Sequence, residues 1–248
     1  MKKAAFCFSA VLALCFATCA QDSSYYKAIQ KGTSSPIQPN QFKQMEQDAL
    51  KNYSSPESYE KLATAFGNST EKVWAVIYGE VFCNLSPDAD RRNAIGSLVY
   101  QAYDKSLSNE GGKFSVTLTE NAQAAPGQAP FESQYEFAFL MAAVPLGNNL
   151  TPLTIQSLSK IRKNQLGLLN QKKLPPNELM RWQQSIIAAG QFDAYNYWLF
   201  QSARADESNQ WQKEHQGEYQ AWLDWLAKNK FTIQNPDFQR LYLLRDRH

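Results

Sequence analysis

His215 and Glu218 stand three residues apart in WQKEHQGEYQAW, with Glu214 directly before the histidine. On a helix that spacing puts an imidazole and a carboxylate on one side, a pair able to pass a proton or to occupy two corners of a metal site. A catalytic zinc wants three protein ligands, and the other histidine of the chain is His248, its last residue. The expected role of His215 is therefore a partly exposed side chain on a wet helix face, and no metal, cofactor or catalytic residue is assigned. Glu132 and Glu136, four apart, project from one side of a helix. Paired acids of this kind can cleave glycosides. Beside an apolar stripe, however, they read as plain surface. With Glu218 they are the acids that an alternative function, an envelope hydrolase acting on cell-wall glycan, would have to use. Glu71 with Glu80, and Asp224 alone, offer less. The chain has no Gly-rich phosphate loop, no G-x-S-x-G elbow and no His-Glu-x-x-His. Cys83 lies in the apolar run VIYGEVFC with no base nearby in sequence, the setting of a buried, inert thiol.

The elements that must position these residues are almost all helical. SPESYEKLATAF starts on Ser55 and Pro56 and stops at Gly67-Asn68. TEKVWAVIYGEVFCNL follows, with Thr70 as the expected cap and Val73, Trp74, Ile77 and Val81 as its stripe. DADRRNAIGSLVYQAYDKSL is the next, its first-turn acids suited to a helix N-terminus. FESQYEFAFLMAAV, PLTIQSLSKIRKNQLGLLNQKK, PPNELMRWQQSIIAAG, QFDAYNYWLFQSARA, NQWQKEHQGEYQAWLDWLAKN and PDFQRLYLLRDRH complete a set of about ten helices. One segment departs from the helical period. Phe114, Val116 and Leu118 alternate with Ser115, Thr117 and Thr119, which predicts a strand over 113–119. A strand needs a partner for its backbone, either FTIQ at 231–234 or the edge of a second molecule. The expectation is thus an all-α stack of antiparallel hairpins with one or two short strands. It divides into a helical region at 21–110, a strand and loop insertion at 111–130, and a second helical region at 131–248.

RWQQSIIAAGQFDAYNYWLF resembles a tetratricopeptide hairpin, with a Trp and small residues in the first helix, Gly190 at the turn and Phe192 opening the second. The helices WAVIYGEVFCNL and LVYQAYDKSL form a similar pair. The resemblance covers about two hairpins and implies a degenerate tetratricopeptide-like α-α stack, with a non-repeating helical domain as the alternative. Five of the six tryptophans fall between 182 and 225. A bulky core between consecutive helices accounts for such a concentration. A concave aromatic groove for a peptide or glycan is the functional alternative. Phe192, Tyr195 and Leu199 are expected to face inward. Tyr197, Trp198, Trp211, Trp222 and Trp225 are the candidate ligand-binding surface.

Lys2 and Lys3 precede the apolar stretch 4–17, and Thr18 and Ala20 sit three and one residues before Gln21. This is the layout of a secretory signal peptide over 1–20, so the protein is expected to be exported, periplasmic or secreted. Lipid anchoring through Cys19 ranks second, because Phe16 and Thr18 occupy positions that usually carry an aliphatic and a smaller residue. Without that leader 228 residues remain, enough for a sizeable core. Lys+Arg falls from 25 to 23 against 23 Asp+Glu. A formally neutral chain has no basic excess to attract a phosphate backbone, so nucleic acid is not an expected partner. The most apolar later stretch, FAFLMAAVPL, is about half a spanning length and carries Pro145. The partner expected is a protein or peptide, with self-association through the 113–119 strand as a further possibility.

Overall fold

The computed structural model describes residues 24–31, 37–110, 113–120, 129–150, 152–171 and 177–245. The expected leader with Cys19, and His248, lie outside the described residues. The order of elements is α1 (24–28), α2 (Pro39–Lys51), α3 (Pro56–Gly67), α4 (Lys72–Leu85), α5 (Ala89–Ser106), β1 (Leu107–Glu110), β2 (Lys113–Val116), α6 (Phe131–Ala143), a 3-10 segment (Val144–Leu150), α7 (Ile155–Gln171), α8 (Glu178–Ala188), α9 (Phe192–Leu199), α10 (Ala205–Glu214), α11 (Gln216–Lys228) and α12 (Arg240–Arg245). The mainly helical class expected from the sequence is the one observed. Among the described residues, no helix is long and apolar enough to cross a membrane.

Local chemistry explains most boundaries. Asp88 caps α5 by accepting from the Arg91 amide at 3.0 Å, and Asn177 caps α8 by accepting from the Met180 amide at 2.9 Å. Pro56 opens α3, where a missing amide proton costs nothing. Helix α4 is apolar nearly all round, and a helix of that kind belongs in the middle of a stack. Every residue from Val73 to Cys83 is buried, with α3 and α5 packed on either side. Thr70 does not cap α4. Glu71 takes that position, and the Thr70 amide instead bonds the Ile29 carbonyl at 2.9 Å, tethering the chain after α1.

The strands differ from expectation. β2 pairs antiparallel with β1, Leu107 opposite Val116 and Glu110 opposite Lys113. Leu107, expected at the end of a helix, is instead the first strand residue. The need for a partner that pointed to a second molecule is thus met within the chain. No strand forms at 231–234. Phe231 and Ile233 are buried and Thr232 and Gln234 exposed, so the alternation read from sequence is real. It comes from an irregular segment pinned to the core by two side chains. The 113–120 part of the expected insertion is bound to its surroundings. The Val73 amide donates to the Leu118 carbonyl at 3.2 Å, and the Thr117 amide to the Ser106 carbonyl at 2.9 Å. The long helix expected around His215 is broken there into α10 and α11. Helix α2 is an addition to the set expected from the sequence.

Two close approaches fix the stack. A Cβ on Gly79 would lie 2.4 Å from Val99 Cγ2, and one on Gly96 would lie 2.2 Å from the Leu199 carbonyl oxygen. Gly190, by contrast, needs its glycine for backbone reasons alone, with φ 72° at the turn between α8 and α9 and open space around it. Gly96→Ala must push α9 away from α5, and we expect a loss of about 1–3 kcal/mol in chemical denaturation. Gly190→Ala should cost about 1 kcal/mol, by strain without displacement.

Candidate functional site

The aromatic residues divide between core and surface. Tyr195 is fully buried, its hydroxyl donating to Glu80 Oε1 at 2.7 Å and accepting from Asn84 Nδ2 at 2.8 Å. Its ring meets Trp198 at 5.9 Å and Trp222 at 5.3 Å between centroids. Trp222 has no exposed surface and is the one buried residue of α11. Three of the five expected binding residues, Tyr197, Trp198 and Trp222, are therefore core. The reason is that every residue of α9 except Asp193 is buried, so positions off the Phe192–Tyr195–Leu199 stripe are covered as well. Trp198 lies beneath the Arg92 guanidinium, and Tyr197 stacks on Trp211 at 4.2 Å and 8°. Trp211 and Trp225 remain half-buried. Trp225 packs on Trp182 at 5.2 Å, and Trp211 carries the His215 ring on its other side at 4.8 Å. His215 Nδ1 and Glu218 Oε1 do meet, at 2.8 Å, but across the break between α10 and α11. Among the described residues, no three His, Cys, Asp or Glu side chains converge as metal ligands.

The carboxylates are engaged in holding the structure. Glu132, expected at the surface, is buried and accepts from Trp74 Nε1 at 3.1 Å. Glu136 Oε2 accepts from the Leu118 and Thr119 amides, closing the exit from β2. Glu71 accepts from the Thr119 hydroxyl and the Glu120 amide. Glu80 is fully buried and pairs with Arg162 of α7, while its Oε1 also takes Gln183 Nε2 at 2.7 Å. Burial by itself would depress the Arg162 pKa, but Glu80 and the surrounding tyrosines hold it above its ordinary value. A second buried pair joins Glu46 of α2 to Arg240 of α12, at 2.6 Å, with Tyr26 hydrogen-bonded to both. Burial pushes the Cys83 thiol well up, and it donates to the Arg92 carbonyl. A general acid must reach its substrate, and Glu46, Glu71, Glu80 and Glu132 are buried, while Glu136 is half-exposed.

The open space lies elsewhere. A groove of about 640 Å³ runs between α6, α7 and α8, with Met141, Ala142, Pro145, Leu166, Leu168, Ile187 and Ala188 as its apolar lining. Its polar lining is four carboxamides, Asn164, Asn170, Gln171 and Gln184, and one charge, Lys163. Gln184 Nε2 donates to Asn170 Oδ1 at 2.8 Å, joining α8 to α7. Met141 is 44 % exposed, and the same helical stripe holds Phe137 at 49 % and Val144 at 53 %. On the floor, Gly167 sits within α7, and a Cβ added there would meet nothing within 4 Å. A mid-helix glycine costs about 1 kcal/mol against alanine, and here it deepens the groove. Sequence reading places FAFLMAAVPL in a core helix and so misses this face. The available signal is that α6 is apolar on both sides, at 135, 138, 139 and 142 inward and at 137, 141 and 144 outward.

Comparison of the chain with protein-family models, with curated proteins and with solved structures gives no match.

Two outcomes test the buried chemistry. Arg162→Met leaves Glu80 buried without a counter-charge and should cost about 3–5 kcal/mol in denaturant titration. The alkaline limit is set by tyrosines. Burial, aided by Glu80 and opposed by Arg162, pushes Tyr103 up to about 12, and burial raises Tyr78, Tyr135 and Tyr195 as well. Folded-state values above the unfolded value of about 10 give a contribution that is intact below pH ~10 and lost as pH rises through the folded pKa. The absorbance of these buried tyrosines should therefore rise only with loss of helical circular dichroism, after that of half-exposed tyrosines such as Tyr53 and Tyr242. Ionisation of all twelve tyrosines ahead of that loss would contradict this burial.

Proposed function

We propose that this is an exported helical protein that acts by binding a protein or peptide, held in the groove between α6, α7 and α8. The observation that carries this reading is the groove itself: an apolar floor cleared by Gly167, an exposed apolar stripe on one wall and a rim of carboxamides. Ligand sites have this composition, mostly apolar with a few placed polar groups. Carboxamides offer both a donor and an acceptor, the complement of a peptide unit. The resemblance of α8 and α9 to a tetratricopeptide hairpin supports the same reading. Glycan hydrolysis has less support, since Glu132 and Glu136 already serve Trp74 and the chain after β2. The half-buried edges of Trp211 and Trp225 are secondary candidates for contact.

Selection from a random peptide display library tests the proposal directly. We expect enriched peptides that bind the native chain and lose binding to Gly167→Phe, whose ring fills the groove while α7 is retained. Peptides that bind both proteins equally would overturn the groove as the site. Release of soluble fragments from cell-wall glycan, abolished by Glu132→Gln at unchanged unfolding midpoint, would instead establish the hydrolase.

A further inference from the structure

We infer that the occupant of this groove is an amphipathic helix with acidic residues flanking its apolar face. The inference rests on the binding reading above and adds the shape and charge of the partner. Shape comes from α6. Phe137, Met141 and Val144 follow the i, i+4, i+7 spacing of one helical stripe and are all well exposed. A ridge of that spacing beside a trough between helices fits the face of another helix, by the ridge-into-groove rule that packs helices generally.

Charge comes from α7. Among the described residues, Lys163 is the only charged one lining the groove, and no carboxylate lines it. Lys160, one turn earlier on the same exposed side, adds a second ammonium. Neither lysine has an ion pair among the described residues, so both ammonium groups are open to a partner's carboxylate. The α7 edge of the groove thus carries two exposed ammonium groups, with no carboxylate among the residues that line the groove. A carboxylate brought to that edge gains attraction, and a lysine brought there is repelled. This selects partners and speeds their arrival more than it adds affinity.

The experiment uses three labelled synthetic helical peptides with leucine at i, i+4 and i+7 and flanks of glutamate, glutamine or lysine. Fluorescence anisotropy is measured against the native chain, Lys163→Glu and Gly167→Phe. We expect the glutamate peptide to bind the native chain most tightly and to weaken with salt. It should bind Lys163→Glu about five- to tenfold more weakly, while the lysine peptide gains, and no peptide should bind Gly167→Phe. Equal binding of all three peptides to the native chain would overturn the acidic partner and leave the groove as a binding site. Binding of none would overturn the groove reading itself. A native dimer on a sizing column that Gly167→Phe converts to a monomer would overturn the inference in favour of a second copy as occupant.

Discussion

The structure depends on charges placed where water cannot reach them. Glu80 sits on α4, the most enclosed helix of the stack, and pairs with Arg162 on α7. Two residues earlier on α4, Tyr78 donates to Glu46, which pairs with Arg240. Taking two ions out of water costs several kcal/mol for each, so such pairs persist only with further hydrogen bonds around them. The Glu46–Arg240 pair is well supplied on both sides, whereas at Glu80 the hydrogen bonds converge on Oε1 and Oε2 is buried without a partner among the described residues. Glu80 Oε1 also receives Tyr195 and Gln183, and Arg162 also donates to Asn196. Arg240 holds both oxygens of Glu46 and the Tyr26 hydroxyl, and its guanidinium lies 4.3 Å from the centre of the Tyr25 ring. An apolar set of similar volume would serve stability as well or better. What the ions add is direction: each pair has one geometry, so α4, α7 and α9 have one rotation each about their own axes, and α12 has one place to dock.

The aromatic side chains fill the space those pairs define. Trp74, Tyr78, Phe66 and Phe42 form a continuous set of ring contacts between α2, α3 and α4. Tyr195, Trp198 and Trp222 form another beneath α11. The second set shows how a short outer helix is retained. Within α11 only Trp222 is buried, and Tyr219, Trp225 and Leu226 are half-covered around it. One indole anchors the helix while its neighbours exclude water, an arrangement also common at binding interfaces. That likeness explains why sequence spacing alone could not separate core from groove in this region.

Helical periodicity made most of the fold legible. Caps and breakers at Pro56, Gly67, Asp88 and Gly190 marked boundaries that the structure keeps. The inward stripe of α9 was readable from Phe192, Tyr195 and Leu199, because spacings of three and four residues are visible in one dimension. The buried pairs were not. Glu80 and Arg162 lie 82 residues apart, and Glu46 and Arg240 lie 194 apart. Charged residues are also assigned to the surface by default, since burial of a charge is rare unless it is paired. β1 was hidden for a different reason: Leu107 reads as the end of a helix and Ser108 to Glu110 are polar with no period-two alternation, so only pairing with β2 makes the segment a strand. The groove was hidden because a helix apolar on both sides looks, in sequence, like one that is simply buried.

The buried pair and the open groove are two faces of the same helix. In α7 the residues at 158, 161, 162, 165, 166 and 169 face the interior, and those at 160, 163, 164, 167 and 170 face out. Successive residues are rotated by about 100° around a helix, so a rotation by one position would carry Lys163 toward Glu80 and bring Gly167 off the groove floor. Aliphatic residues such as Leu158, Ile161 and Leu166 resist that rotation only weakly, because apolar packing tolerates exchange among side chains of similar volume. A guanidinium that must meet one carboxylate and one carboxamide does not tolerate it. The Arg162–Glu80 pair therefore decides which side chains line the groove, although it contributes no atom to it. Chemistry at the centre of the stack and recognition at its surface are linked through the rotation of one helix.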